Sequence, residues 1–295
     1  MESGNMTRNR FDRNTEFFGE KGQRRLRETR CTVVGAGGLG THVIQQLALL
    51  GVGGIFPIDR EELDETNRNR YIGAYHEDPI PGSLKVDLTE RMVHQIDPTI
   101  EVMKVADSFI SVAGYDSIKA GHVVFGCLDS EGARVVLTEI CSAYAKTYID
   151  LASDILPGDP PEYGGRVCVS REGQSCLSCL NVIDQKEAGR ELGGEIERQN
   201  RQAIYGVDRD ELASSGPSVV SINGVVASLA VTEFMLLVTG IREPYRLQNY
   251  NGRLGRVTRN IDKPAEGCWY CTGLWGQKEA ADVEKYIRSG LGERI

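Results

Sequence analysis

The sequence predicts an α/β fold: a Rossmann-like, mostly parallel sheet with helices on both faces, a C-terminal β-hairpin and a four-cysteine site. Three observations carry this. Short apolar runs alternate with stretches of helical periodicity through the first half of the chain. A glycine-rich turn, Gly35-Ala36-Gly37-Gly38-Leu39-Gly40, joins the first run to the first periodic stretch. Two Cys-x-x-Cys pairs punctuate the less regular second half.

The elements follow in order. Cys31–Val34 reads as a strand, Leu39–Leu50 as a helix, and Gly54–Ile58 as a strand ending at Asp59. Lys85–Gln95 is predicted helical and Glu101–Val105 extended; His122–Phe125 is a further strand, Glu131–Ala143 a helix and Thr147–Leu151 a strand. Gly165–Ser170 is read as a strand leading into the first cysteine pair, Asp184–Leu212 as a broken helix or mobile loop, and Tyr245–Tyr250 with Gly255–Asn260 as a hairpin. The organisation expected is one domain over 1–295. It comprises a helical arm (1–30), a half that carries the glycine-rich turn (31–160) and a half that carries both cysteine pairs (161–295), with an insertion at 184–212.

With 295 residues and a formal net charge of -8, the chain can bury one large core and lacks the basic face of a nucleic-acid binder. The apolar stretch Val219–Val238 approaches membrane-spanning length, but Ser221, Asn223, Ser228, Thr232 and Glu233 interrupt it, so a buried core helix is expected. Eight cysteines in a chain this long, four of them in the two Cys-x-x-Cys pairs, argue against a disulfide framework and for a reducing cytoplasm.

The glycine turn after a strand and before a helix suits a phosphate, because glycines let backbone N–H groups approach it closely. Gly35, Gly37, Gly38 and Gly40 would cradle a nucleotide, and Asp59 would hold its ribose. A nicotinamide or flavin dehydrogenase shares these features. The polar loop Asp59–Arg70, the helix-start Lys85 and Asp129 beyond the strand His122–Phe125 separate the two. Cations beside a nucleotide neutralise charge moving onto pyrophosphate, and a carboxylate can hold magnesium; hydride transfer needs neither.

At these residues the chain resembles the ThiF/MoeB/HesA-type adenylyltransferases, relatives of the ubiquitin-activating enzymes, from Arg10 to Cys271. Asp59, Asn67 and Arg70 match the family's Asp-x-Asp…Asn-x-x-Arg element, with Glu61 in place of the second aspartate, and Lys85 and Asp129 match its lysine and later aspartate. The resemblance implies ATP and magnesium as cofactors and a catalytic set of Arg13, Asn67, Arg70, Lys85 and Asp129. Arg13 would reach the ATP of the other subunit of a homodimer. The partners implied are a ubiquitin-like or sulfur-carrier protein with a C-terminal glycine tail and a downstream acceptor protein, either of which the insertion at 184–212 would contact, with no nucleic acid and no membrane. Another peptide, a tRNA base, and a non-catalytic scaffold role are the alternatives.

Cys176, Cys179, Cys268 and Cys271 supply thiolates for a closed tetrahedral zinc site. Many relatives carry an acyl-accepting cysteine between the first pair and the late apolar helix, yet Leu180–Gly267 holds none. Cys31, Cys127, Cys141 and Cys168 are expected in the core. The substitutes are an acyl-adenylate product or, at Ser214 or Ser215, an oxyester.

Overall fold

A computed structural model describes residues 9–193, 216–261 and 265–293. Its centre is an eight-stranded sheet in the order β3-β2-β1-β4-β5-β6-β7-β8. The parallel part comprises β1 (Arg30–Val34), β2 (Gly54–Ile58), β3 (Glu101–Val102), β4 (Val123–Gly126) and β5 (Thr147–Leu156). From β5 onward the pairing turns antiparallel through β6 (Glu162–Ser170), β7 (Leu247–Asn251) and β8 (Arg256–Arg259).

Alternation along the strands sends side chains to two cores. On one face Val33 and Phe125 join Ile44, Leu47, Ala230 and Phe234; on the other Val34 and Val124 join Ile118, Leu137 and Ile140. The first face is covered by α1 (Asp12–Arg27), α2 (Gly38–Leu50), α3 (Lys85–Ile96) and a long helix, Val220–Thr239. The second is covered by α4 (Val112–Ala120) and α5 (Glu131–Ala143), with α6 (Gln185–Leu192) against α5. The long helix is α7. It is the one described helix with the length and apolarity to cross a membrane. In this fold it is a core element: Phe234 is fully buried edge-on to Phe125, and buried Glu233 is paired with Arg242.

Most boundaries move by a residue or so from expectation. The largest shortfall is Glu101–Val105, where β3 keeps only its first residues; Val105 still bridges Ile58 in parallel. Of the insertion, Asp184 caps α6 through the amides of Lys186 and Glu187. The remainder, 194–212, lies outside the described residues.

Candidate active site

Strand order reverses beside β1, which has β2 on one side and β4 on the other, so the carboxyl ends of β1, β2 and β4 open a crevice. A cavity of about 1180 Å³ lies there. Its wall includes Gly35, Gly37, Gly38, Asp59, Glu61, Asn67, Arg70, Lys85 and Asp129, drawn from separate segments of the chain.

The glycine turn is built by steric need. Gly35 has φ +90°, and a Cβ there would fall 2.5 Å from the Cys127 carbonyl oxygen. Gly40 is not on the cavity wall; a Cβ on it would sit 1.9 Å from the Gly35 carbonyl oxygen. Its lack of a side chain therefore lets α2 start tight against the turn.

Asp59 is fixed by two amides: Ala36 N–H donates to Oδ2 at 2.8 Å and Glu61 N–H to Oδ1 at 2.9 Å. Burial pushes its carboxyl above the usual range, against the opposing pull of Lys85. Lys85 opens α3 with its side chain only 7% exposed, paired to Glu61, whose own side chain is 65% exposed. Asn67 closes the short turn Glu65–Asn67 by accepting the Asp64 N–H at 3.3 Å. Arg70 donates to the Thr66 carbonyl at 2.5 Å. Arg68, in the loop that carries Asn67 and Arg70, donates to the Asp78 carbonyl at 2.8 Å, and the Arg91 hydrogen bond holds the Asp78 carboxyl down to about 2.

Asp129 is exposed at the rim just before α5. Arg13 is exposed on α1 and contributes nothing to this cavity within its own chain. Ser214 and Ser215 lie outside the described residues; Gly216, Pro217 and Ser218, immediately after them, line the cavity.

Several wall residues went unread in the sequence. Asn223 of α7 is buried, accepts a hydrogen bond from Ser153 at 2.8 Å and donates to Ser218 at 3.1 Å. Its signal in the sequence is its polarity within an apolar helix. Arg134 is buried on α5 and donates to Asp150 at 2.6 Å and to the Leu128 carbonyl. Glu191 of α6 accepts from Ser130 Oγ at 2.7 Å and from the Gly132 amide, so the insertion forms part of the wall. Cys127, expected in the core, is only partly buried and reaches the cavity; burial and the nearby Asp150 push its thiol well up, a poor state for a nucleophile. Cys31, Cys141 and Cys168 are buried as expected.

The four cysteines of the two pairs converge with all sulfurs within 4.8 Å. Cys176 and Cys268 sulfurs are 3.6 Å apart, and those of Cys179 and Cys271 are 3.8 Å apart. A tetrahedron of zinc–sulfur bonds of about 2.3 Å requires sulfurs roughly 3.8 Å apart, so the thiols fit zinc. The site joins the stretch after β6 to the C-terminal segment.

The ThiF family profile matches residues 11–270. The sulfur carrier protein ThiS adenylyltransferase of Escherichia coli is 26% identical over 85% of this chain and 89% of its own. The adenylyltransferase and sulfurtransferase UBA4 of Lodderomyces elongisporus is 28% identical, over 45% of this chain and 29% of that protein. Among solved structures, E. coli MccB with ATP shares the fold with a TM-score of 0.66 and 19% identity, over 91% of this chain and 76% of that one. By its family match over most of its length, and with relatives named as adenylyltransferases, the chain belongs to the ThiF family.

Proposed function

We propose that the protein uses ATP to adenylate the C-terminal glycine carboxylate of a ubiquitin-like or sulfur-carrier protein. The carboxylate oxygen bonds to the α-phosphorus, the bond from that phosphorus to the β-bridging oxygen breaks, and pyrophosphate leaves with the electron pair. The supporting observation is that the glycine turn, Asp59, Asn67, Arg70, Lys85 and Asp129 meet on one cavity at the strand-order reversal.

In this reading Gly35, Gly37 and Gly38 face the phosphates and Asp59 accepts from the ribose hydroxyls. Lys85 and Arg70 neutralise charge building on the leaving pyrophosphate. Acidic side chains nevertheless dominate the wall: Asp59, Glu61, Asp107, Asp129, Asp154 and the two glutamates of α6 oppose Arg60, Arg70, Lys85 and Arg134. A triphosphate needs more positive charge than one chain supplies there. Asp129 would hold magnesium, which contributes that charge when bound, and Arg13 of the partner subunit would add more. A homodimer follows from this assignment.

Zinc at Cys176, Cys179, Cys268 and Cys271 would be structural, since all its positions are filled by protein sulfur. The free thiols fit work in a reducing cytoplasm. With no cysteine between Leu180 and Gly267 and a raised thiol at Cys127, the acyl-adenylate is the product this chain hands on. The ThiS adenylyltransferase, by its name, acts on a sulfur carrier protein, which supports the same substrate class here.

The test is ATP–pyrophosphate exchange with purified protein, magnesium and a panel of small proteins ending in Gly-Gly. Exchange that requires the free C-terminal carboxylate supports the reading. Nucleotide binding without exchange against the whole panel would replace it with a carrier-binding scaffold.

A further inference from the structure

The family match ends at residue 270, and the chain continues through a segment that packs behind residues lining the nucleotide cavity without lining it itself. From the last cysteine pair it crosses α5, where Gly276 N–H donates to the Ser142 carbonyl at 3.0 Å and Tyr286 Oη donates to Glu139 at 2.6 Å. Val283 is buried, and its carbonyl accepts from Tyr115 Oη of α4 at 2.6 Å. Leu291 is buried in the second core. The segment then meets the cavity wall: Arg60 Nη1 donates to the Gly292 carbonyl at 2.6 Å, and a Cβ on Gly292 would lie 3.2 Å from Ser108 Oγ and 3.3 Å from Ile110 Cβ. Arg60, Ser108 and Phe109 all line the cavity, on the side where β2 and β3 end.

That side is the base end of the site, on the proposed reading that ATP binds with its phosphates at the β1 turn and its ribose at Asp59. The nucleobase then projects away from β1, toward Arg60 and the loop 107–109. A guanidinium tethered by a hydrogen bond to a carbonyl can stack on a purine, and a lysine would do so less well. We propose that residues 274–293 buttress the base end of the nucleotide site from behind, with Gly292 positioning Arg60 and the Ser108–Phe109 loop against the purine. The inference rests on the ATP-binding reading. It adds a role for a segment beyond the family match, one that ties nucleotide affinity to the packing of the C-terminal chain on α4 and α5.

The experiment measures dissociation constants by calorimetry for ATP and for inorganic tripolyphosphate, with magnesium. The proteins are wild type, Arg60→Ala, Gly292→Val and the double variant, with circular dichroism and thermal melts as folding controls. ATP should bind roughly fivefold more weakly to each single variant, the weight of about one exposed cation–π contact. Tripolyphosphate binding should be unchanged in Gly292→Val and weakened less than ATP binding in Arg60→Ala, and the double variant should lose no more ATP affinity than the weaker-binding single one, because both changes act through the same contact. A folded Gly292→Val with wild-type ATP affinity overturns the proposal, as does equal loss for ATP and tripolyphosphate. Should Gly292→Val not fold, hydrogen exchange on the wild type decides: bound ATP should slow exchange of the amides at 288–293, and unchanged rates overturn the buttress. Wild type that binds no ATP fails the functional reading itself, a result distinct from either.

Discussion

Replacing Lys85 by methionine separates a catalytic charge from a structural ion pair. The two assignments differ in which property the change alters. The Lys85 ammonium is almost fully buried, while its partner Glu61 is largely exposed. Removing the lysine therefore leaves Glu61 hydrated rather than stranded, and the lost pair is worth no more than about 1 kcal/mol. Methionine keeps the stem volume and removes a buried charge, and buried Asp59 can take up a proton when it loses the pull of Lys85, so stability should change little. On the proposed reading the same ammonium would face pyrophosphate charge in the transition state. Loss of one such contact costs roughly 2.7–4 kcal/mol, or about a hundred- to a thousandfold in rate. The assay is ATP–pyrophosphate exchange beside a thermal melt. Lys85→Met should be at least about a hundredfold slower with little change in melting temperature. Exchange within a few-fold of wild type would refute the assignment, and a large fall in melting temperature would make the pair structural.

Four further outcomes are expected. Gly35→Ala forces a side chain into φ +90° and against the Cys127 carbonyl; urea denaturation should show a loss of at least about 1–2 kcal/mol, and ATP binding should fail. Metal analysis should find about one zinc per chain in wild type and none in Cys268→Ser, with a lower melting temperature; zinc-free wild-type protein with normal stability would remove the metal from the account. Arg13→Ala and Lys85→Met, each inactive alone, should regain about a quarter of wild-type activity after subunit mixing, since half the dimers are mixed and each restores one site; no regain would place Arg13 outside the partner's site. Asp59 must be ionised to accept from ribose hydroxyls, and burial raises its pKa. ATP affinity should thus fall as pH is lowered through a midpoint above the usual carboxylate range. Folding runs the opposite way, because the native state binds this proton more tightly than the unfolded chain; ionising Asp59 costs stability as pH rises through the same window. An affinity flat to pH values near those of an exposed aspartate would contradict the assignment.

How much of this was legible in the sequence depended on whether the signal was local. The helix Glu131–Ala143 and the strand Gly54–Ile58 were read to the residue, because caps, glycines and apolar runs mark them within a few positions. The Asp59–Arg70 loop, Lys85 and Asp129 were readable as a set by their order. Strand ends were less so: β5 and β6 run on to Leu156 and from Glu162 because they pair antiparallel with each other, a tertiary fact with no local mark. Gly40 fits the nucleotide spacing and also packs against Gly35, a close approach that spacing alone does not reveal. Asn223, Arg134 and Glu191 reach the cavity from distant helices, so only the fold reveals them. The same holds for Gly292, which meets Arg60 across 232 positions of chain.

The central claim is attack by a carboxylate on the α-phosphorus, and isotope transfer tests it most directly. A Gly-Gly protein that supports exchange is prepared with ¹⁸O in its C-terminal carboxylate and turned over with ATP, magnesium and hydroxylamine to trap the acyl group. The account predicts one ¹⁸O in the released AMP, because the attacking oxygen stays on phosphorus when hydroxylamine takes the carbonyl carbon. Unlabelled AMP, or ADP and inorganic phosphate in its place, would contradict it.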